Sequence, residues 1–377
     1  MAETVIVGIS GGVDSAVAAW LLQRQGYAVQ GLFMSNWDED DRYCTIAEDF
    51  QDARRICKCL DIPLHRHSFV AEYREHVFAY FLREYRAGRT PNPDVLCNRE
   101  IKFGVCLDHM LRLGADCIAT GHYARVLHDD GNARLLKAVD ANKDQSYFLH
   151  AITPQALARS LFPLGELHKS EVRRIAHEQG LPVFDKPDST GICFIGERPF
   201  REFLERYVDR TPGPIETPDG HIVGEHEGLA FYTLGQRSGL HLGGRRGALQ
   251  APWYVALKDA SRNALIVVQD PQHPLLLSDE IQVADVHWLT SPRATQFACA
   301  VKTRYRQADL ACQVRIGETG QVGEQVRVTL DRPARAVTPG QFAVFYQGDE
   351  CLGGGIIEDR TLRRPMAYNP RLLREVS

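Results

Sequence analysis

The sequence is defined first by what it lacks. No Cys-x-x-Cys occurs among its ten cysteines, and the closest pair, Cys57 and Cys59, has no second half-site. No metal site is therefore expected. Ten thiols in 377 residues also fall short of a disulfide scaffold. No apolar run approaches the roughly 18 residues of a membrane helix, and Met1-Ala2-Glu3-Thr4 leads straight into Val5-Ile6-Val7 without a basic region or cleavage site. The expectation is a cytoplasmic protein with no membrane partner. Gly-x-x-x-x-Gly-Lys-[Ser/Thr] is absent, which excludes a Walker phosphate loop, and the absence of Gly-x-Gly-x-x-Gly weakens a dinucleotide reading. Repeats and low-complexity tracts are missing too.

What is present is ordinary for a globular chain: 44% hydrophobic and 24% charged residues. The length suggests two or three domains. The net charge is −4, yet residues 281–377 carry 13 Lys/Arg against 10 Asp/Glu. A tail more basic than the body suits contact with phosphates.

Residues 1–198 read as an α/β domain with a parallel sheet. Strands are predicted at Val5–Ile9, Val29–Met34, Pro63–Phe69 and Cys117–Thr120, and helices at Ser15–Gln25, Glu48–Leu60 and Tyr73–Arg86, with a further helix from Ser170. Residues 199–270 form a small, loop-rich central domain dense in Gly and Pro. Residues 271–377 read as a C-terminal β-barrel, with strands at Ile281–Leu289, Ala298–Arg306, Ala311–Ile316, Gln325–Leu330 and Gln341–Tyr346; one more, Ala264–Gln269, precedes the boundary.

Three segments carry chemistry. Gly8-Ile9-Ser10-Gly11-Gly12-Val13-Asp14-Ser15 lies between a strand and a helix. Small residues there let the backbone approach a phosphate, and the helix N-terminus supplies free N–H groups. Asp14 could help hold Mg²⁺. Next, Thr90-Pro91-Asn92-Pro93-Asp94-Val95-Leu96-Cys97 forms a stiff Pro-x-Pro turn with a carboxylate three residues before a thiol, close enough to meet on one helical turn. Arg99 and Lys102 nearby favour thiolate. Last, Ser189-Thr190-Gly191-Ile192-Cys193-Phe194-Ile195-Gly196 places Cys193 in a small-residue, loop-like setting. Two cysteines in rigid, non-periodic segments suit a nucleophile and a resolving partner.

Ser-Gly-Gly-x-Asp-Ser after the first strand resembles the loop of the ATP-pyrophosphatase superfamily, whose members cleave ATP to AMP and pyrophosphate. With Gly121-His122-Tyr123-Ala124, Lys143-Asp144-Gln145-Ser146, Thr233-Leu234-Gly235-Gln236-Arg237 and Thr338-Pro339-Gly340-Gln341, the three segments are similar to the tRNA-specific 2-thiouridylases over essentially the whole chain. The resemblance implies an adenine-nucleotide-hydrolase-like domain that binds ATP phosphates at Gly8 to Ser15 and the adenosine at Met34 and Gly121. It implies tRNA contacts, at the anticodon stem-loop, by Asn92, Pro93, Asp94, His122, Lys143, Asp144, Gln145, Arg304, Tyr305 and Gln341. It also implies a persulfide on Cys193, loaded by a sulfur-donor protein, with Cys97 as catalytic partner and Asp94 as the acid/base group. Direct persulfide attack and attack by released hydrosulfide both stay open. So do two other readings: a synthetase adenylating a small molecule, and a non-catalytic tRNA-binding sulfur carrier.

Overall fold

A computed structural model describes residues 2–38, 45–129, 132–188, 200–242, 251–317 and 325–362. Cys193 and its neighbours, residues 189–199, lie outside the described residues. The first strands are β1 (Thr4–Gly8), β2 (Ala28–Ser35), β3 (Leu64–Ser68) and β4 (Cys117–Ala119). They pair in parallel in the order β3-β2-β1-β4, and a two-residue strand after Arg159 extends the sheet beyond β4. In β1, Val5, Ile6 and Val7 are wholly buried, as a strand covered on both faces requires. Val5 and Val7 face the helices Val13–Arg24 and Lys169–Glu178, while Ile6 faces those running from Val70 to Arg112. Strands and helices fall within a few residues of the sequence expectations.

Between β4 and the sheet's last strand the chain makes a hairpin, β5 (Arg125–Asp129) and β6 (Asn132–Leu136), that sequence patterning missed. It leaves the parallel sheet and joins the C-terminal one. The two-residue strand is β7 (Ser160–Leu161). The central region holds β8 (Gly213–Glu216), β9 (Ile222–His226), β10 (Tyr254–Asp259) and β11 (Ala264–Val268), ordered β10-β11-β8-β9. The C-terminal strands are β12 (Leu277–Trp288), β13 (Gln296–Lys302), β14 (Leu310–Ile316), β15 (Val326–Arg335), β16 (Phe342–Gln347) and β17 (Glu350–Leu362). They run β12-β15-β14-β13-β16-β17, and pairing of β17 back onto β12 closes a six-stranded barrel. Val301, Val314, Val328 and Phe345 fill its core.

Three expectations are corrected. The strand expected to reach Arg306 ends at Lys302, because the Thr303 N–H donates to the Gln307 side chain and Arg306 takes a left-handed φ of 61°. β17 was not expected at all: Gly353-Gly354-Gly355 inside it reads as a loop. Cys97 sits in a helix rather than in a non-periodic segment. Asn92 accepts from the Val95 N–H (3.4 Å) as N-cap, and Pro93 takes the first helical position, where its missing N–H costs nothing. The turns Pro93–Leu96 then continue into a wide, π-type helix Cys97–Val105.

Asp144 ties the first domain to the barrel. Its carboxylate accepts from the Ala138 N–H (3.1 Å), the Ser146 N–H and hydroxyl, and the Lys302 ammonium (3.4 Å) on β13. Ser146 in turn contacts the Tyr346 hydroxyl on β16. Removing one member of such a buried pair strands the other charge. Asp144→Ala should lower stability by about 3 kcal/mol, read as an earlier urea midpoint, with Asp144→Asn less damaging; equal midpoints for all three proteins would contradict it.

Candidate active site

The loop after β1 lies at the carboxyl edge of the parallel sheet, where open α/β sheets place their ligands. Gly11 adopts φ +79°, and a Cβ there would sit 2.5 Å from the Asp49 carbonyl oxygen, so only glycine fits. The Ser10 N–H donates to the Ser15 hydroxyl (3.2 Å), which donates to the Gly12 carbonyl (3.0 Å), and this ties the loop into the helix start. Gly121, just past β4, closes over the same turn: a Cβ would lie 2.8 Å from the Asp14 carbonyl carbon and the Ser15 nitrogen. The Met34 methyl and the Thr120 methyl each lie 3.8 Å from the Cβ position of Gly8. Met34 and Gly121 thus border the loop.

Asp14 is already engaged. The Tyr123 hydroxyl donates to its Oδ1 (2.8 Å), and so does the Lys169 ammonium (2.6 Å). Lys169 also pairs with Asp188 (2.8 Å), which receives Lys143 (2.7 Å) and Arg173 (2.8 Å) as well. Burial pushes the Asp188 carboxyl up, but hydrogen bonds and charge from Lys143 and Lys169 outweigh it and hold the group at about 2. Burial together with the Asp14 charge drives the Tyr123 hydroxyl far up, so it donates as a neutral phenol. Lys186 is the fourth cation: it reaches the Gly11 carbonyl (3.1 Å), Asp49 (2.7 Å) and Asp52 (2.6 Å). An anion arriving at this loop meets lysines from three separate segments.

Of these groups, Lys169, Arg173 and Lys186 were missed in the sequence. One signal was available for Lys169: it opens a helix, where the dipole disfavours a cation. A cation held there against the dipole points to carboxylates or a ligand anion.

The Cys97 helix packs beside the loop. Its Phe103 ring lies 6.0 Å from the His122 ring, and His122 Nδ1 is 2.7 Å from the Thr120 hydroxyl next to Gly8. Burial, with the Lys102 charge adding to it, pushes His122 well below its ordinary value, so the imidazole is neutral at pH 7. Cys97 itself is fully buried, and Asp94 is half-buried one turn before it. Asn98 donates to the Phe148 carbonyl (3.1 Å), and the Phe148 ring meets Tyr305 of the barrel at 4.5 Å. Arg306 stacks on Tyr305 (5.2 Å), and Arg304 is exposed beside it. Gln341 donates to the Thr90 carbonyl (2.8 Å) and the Pro91 carbonyl (3.2 Å), and accepts from Asn92 (3.5 Å). Gln145 accepts from the Tyr123 N–H (2.9 Å). The residues expected to meet RNA therefore cluster around the Cys97 helix, with the side chains of Asp144, Gln145 and Gln341 already bonded within the protein. Lys143 sits apart from them, at Asp188.

Known proteins resemble this chain along its whole length. Residues 3–197 match the family described as "tRNA methyl transferase HUP domain", 201–269 its "PRC-barrel domain", and 278–357 the "Aminomethyltransferase beta-barrel domain". The tRNA-specific 2-thiouridylase of Chromohalobacter salexigens is 58% identical over 94% of this chain and 92% of its own. That of Marinobacter nauticus is 56% identical over 99% of this chain and 95% of its own. The chain belongs to the tRNA-specific 2-thiouridylase family. The fold expected from the sequence, a parallel-sheet domain followed by a small central domain and a barrel, is the one observed.

The low value at Asp188 has a pH signature. A carboxyl depressed in the folded state contributes stability above its ordinary value near 3.8 and loses it as pH falls toward 2. Asp188→Asn should cost roughly 1–2 kcal/mol at pH 7, after discounting for solvent screening. The wild-type advantage should shrink between pH 4 and 2. A difference independent of pH would show that the carboxylate charge does not hold the cluster together.

Proposed function

We propose that the chain is an ATP-dependent tRNA sulfurtransferase that replaces the 2-oxygen of the wobble uridine with sulfur. The observation that carries this reading is one continuous site: the phosphate loop, the Cys97 helix and the Phe148–Tyr305 contact adjoin one another in a chain that matches 2-thiouridylases end to end. Gly8 to Ser15 bind the ATP phosphates, and Lys169 and Lys186 turn toward them. The uridine O2 attacks the α-phosphorus, and pyrophosphate leaves. A carbonyl oxygen is a poor leaving group, whereas the adenylated oxygen departs as AMP. Met34 and Gly121 border the adenosine.

For Mg²⁺ the fit is partial. The Asp14 carboxylate can hold such an ion together with substrate phosphates, but its Oδ1 already carries Lys169 and Tyr123. No group of three His, Cys, Asp or Glu among the described residues could hold a metal. When bound, the ion would neutralise phosphate charge.

Sulfur arrives as a persulfide on Cys193, loaded by a donor protein. The outer sulfur adds to C2, directly or after release as hydrosulfide, and Cys97 takes up the remaining sulfur of Cys193 as a disulfide. Asp94, one turn from Cys97, serves as acid or base. Anticodon bases must be splayed out to reach this site, as single-stranded RNA recognition requires. Asn92, Pro93, His122, Asp144, Gln145 and Gln341 shape the pocket, Lys143 meets the RNA from its separate place beside Asp188, and Arg304 with Tyr305 supplies charge and a stacking face. No described helix is long and apolar enough to cross a membrane, and we assign the protein to the cytoplasm.

The deciding assay is tRNA-dependent pyrophosphate release. Asp14→Ala should abolish it while leaving the fold intact, and Cys193→Ser should abolish thiolation but retain adenylation. Pyrophosphate release without any dependence on tRNA would favour a small-molecule synthetase. Arg304→Ala should weaken tRNA binding and flatten its salt dependence by about one phosphate contact, with ATP affinity unchanged. An unchanged salt slope would remove that residue from the RNA surface.

A further inference from the structure

Two cysteines outside the proposed chemistry face each other in the barrel. Cys299 on β13 and Cys312 on β14 are direct partners in the antiparallel register, and their sulfurs lie 3.7 Å apart in hydrogen-bond contact. Directly opposed residues in antiparallel strands have Cα atoms about 4.5–5.5 Å apart. A disulfide spans roughly 4.4–6.8 Å, so the backbone is already in place and only side-chain rotation is needed. Access is one-sided. Cys299 is half-buried, whereas Cys312 is 2% exposed, packed among the barrel's core residues.

The position of the pair matters more than its proximity. The loop 303–309 that joins β13 to β14 presents Arg304 and Tyr305, and it is closed internally by Gln307, which accepts from the Thr303 N–H (2.7 Å) and hydroxyl (3.0 Å). A bond between Cys299 and Cys312 would fasten both strands at the foot of this loop.

We propose that Cys299 and Cys312 form a redox-responsive dithiol that a hydroperoxide converts to a cross-strand disulfide, locking the base of the Arg304–Tyr305 loop. Cys299, the accessible member, loses its proton to solvent, and its sulfur attacks a peroxide oxygen. The O–O bond breaks, and with hydrogen peroxide the departing hydroxide leaves as water. The Cys312 sulfur then attacks the resulting sulfenic acid. An S–S bond forms, the S–O bond breaks, and hydroxide leaves with the Cys312 proton as a second water. Two thiols lose two electrons, and one peroxide becomes two waters. Cys312 suits the second role: its hydrogen bond with Cys299 and its burial push its thiol up, so it remains protonated until the sulfenic acid appears beside it.

The test needs no knowledge of the RNA substrate. Purified full-length protein is treated with hydrogen peroxide, its free thiols are alkylated, and it is digested with trypsin without reductant. The peptides 294–302 and 307–315 should appear joined, and dithiothreitol should separate them. In the native protein Lys302, Arg304 and Arg306 are tryptic sites in or beside the loop, and cleavage there requires local opening. Oxidation should slow native cleavage at Arg304 and Arg306 on the order of fivefold, and dithiothreitol should restore it. Cys299→Ser should show neither linkage nor slowing, and the reversal by reductant makes the same point within the wild type if that variant folds poorly. Exposed Cys59 reports that the oxidant acted. Oxidised Cys59 without a 294–302/307–315 linkage would overturn the proposal, and so would linkage with unchanged cleavage.

Discussion

The Gly88–Asn92 segment is held by residues that lie 143 to 251 positions further along the chain. Lys258 of the central sheet donates to the Gly88 carbonyl (2.9 Å), and the Thr233 hydroxyl meets that of Thr90 (3.4 Å). From the barrel, Pro339 accepts from the Thr90 N–H (3.1 Å) and Gln341 reaches the Thr90 and Pro91 carbonyls. Each such bond is worth about 1 kcal/mol net. Together they set where the chain stops being a loop, because Asn92 caps the Pro93 turn and Cys97 follows directly from it. The position of Cys97 is thereby a property of all three domains.

A second constraint is charge. Lys143, Lys169, Arg173 and Lys186 would repel one another at the loop unless carboxylates were interleaved, and Asp14, Asp49, Asp52 and Asp188 fill that role. Several of these groups are half-buried, where unpaired charges are costly. The same arrangement suits a polyanion. Phosphates entering the site can share lysines whose present partners are carboxylates, so the desolvation of those lysines is already met.

Local signals explain what could be read from the chain. The loop after β1 combines a buried strand, small residues and a helix start within a dozen positions, and each sign is independent of distant residues. β5 was illegible because its residues are mostly exposed and show no alternation, and β17 because three glycines interrupt it. The Cys97 helix was misread for a different reason. Prolines at 91 and 93 suggest a turn, and only the Asn92 cap converts the second into a helix start. Lys169, Lys186 and their carboxylates come from four separate stretches of chain, and no spacing rule joins them. The half-site around Cys193 was legible as a motif, but its structure falls outside the described residues.

The hairpin β5–β6 changes what the barrel is. β6 pairs with the start of β17, Leu135 opposite Cys351 and Leu136 opposite Glu350, while Asp144 of the next segment holds Lys302 on β13. A strand pair donated by the first domain and a buried ion pair therefore fix the barrel at two points on either side of Tyr346. A module tethered only by a linker would hold Tyr305 at a variable distance from the loop after β1. Here Tyr305 touches Phe148, which is hydrogen-bonded to the residue following Cys97. Distances within the site are therefore set by packing rather than by linker length, as the proposed reaction, which brings a nucleotide base, a phosphorus atom and a sulfur atom together, requires.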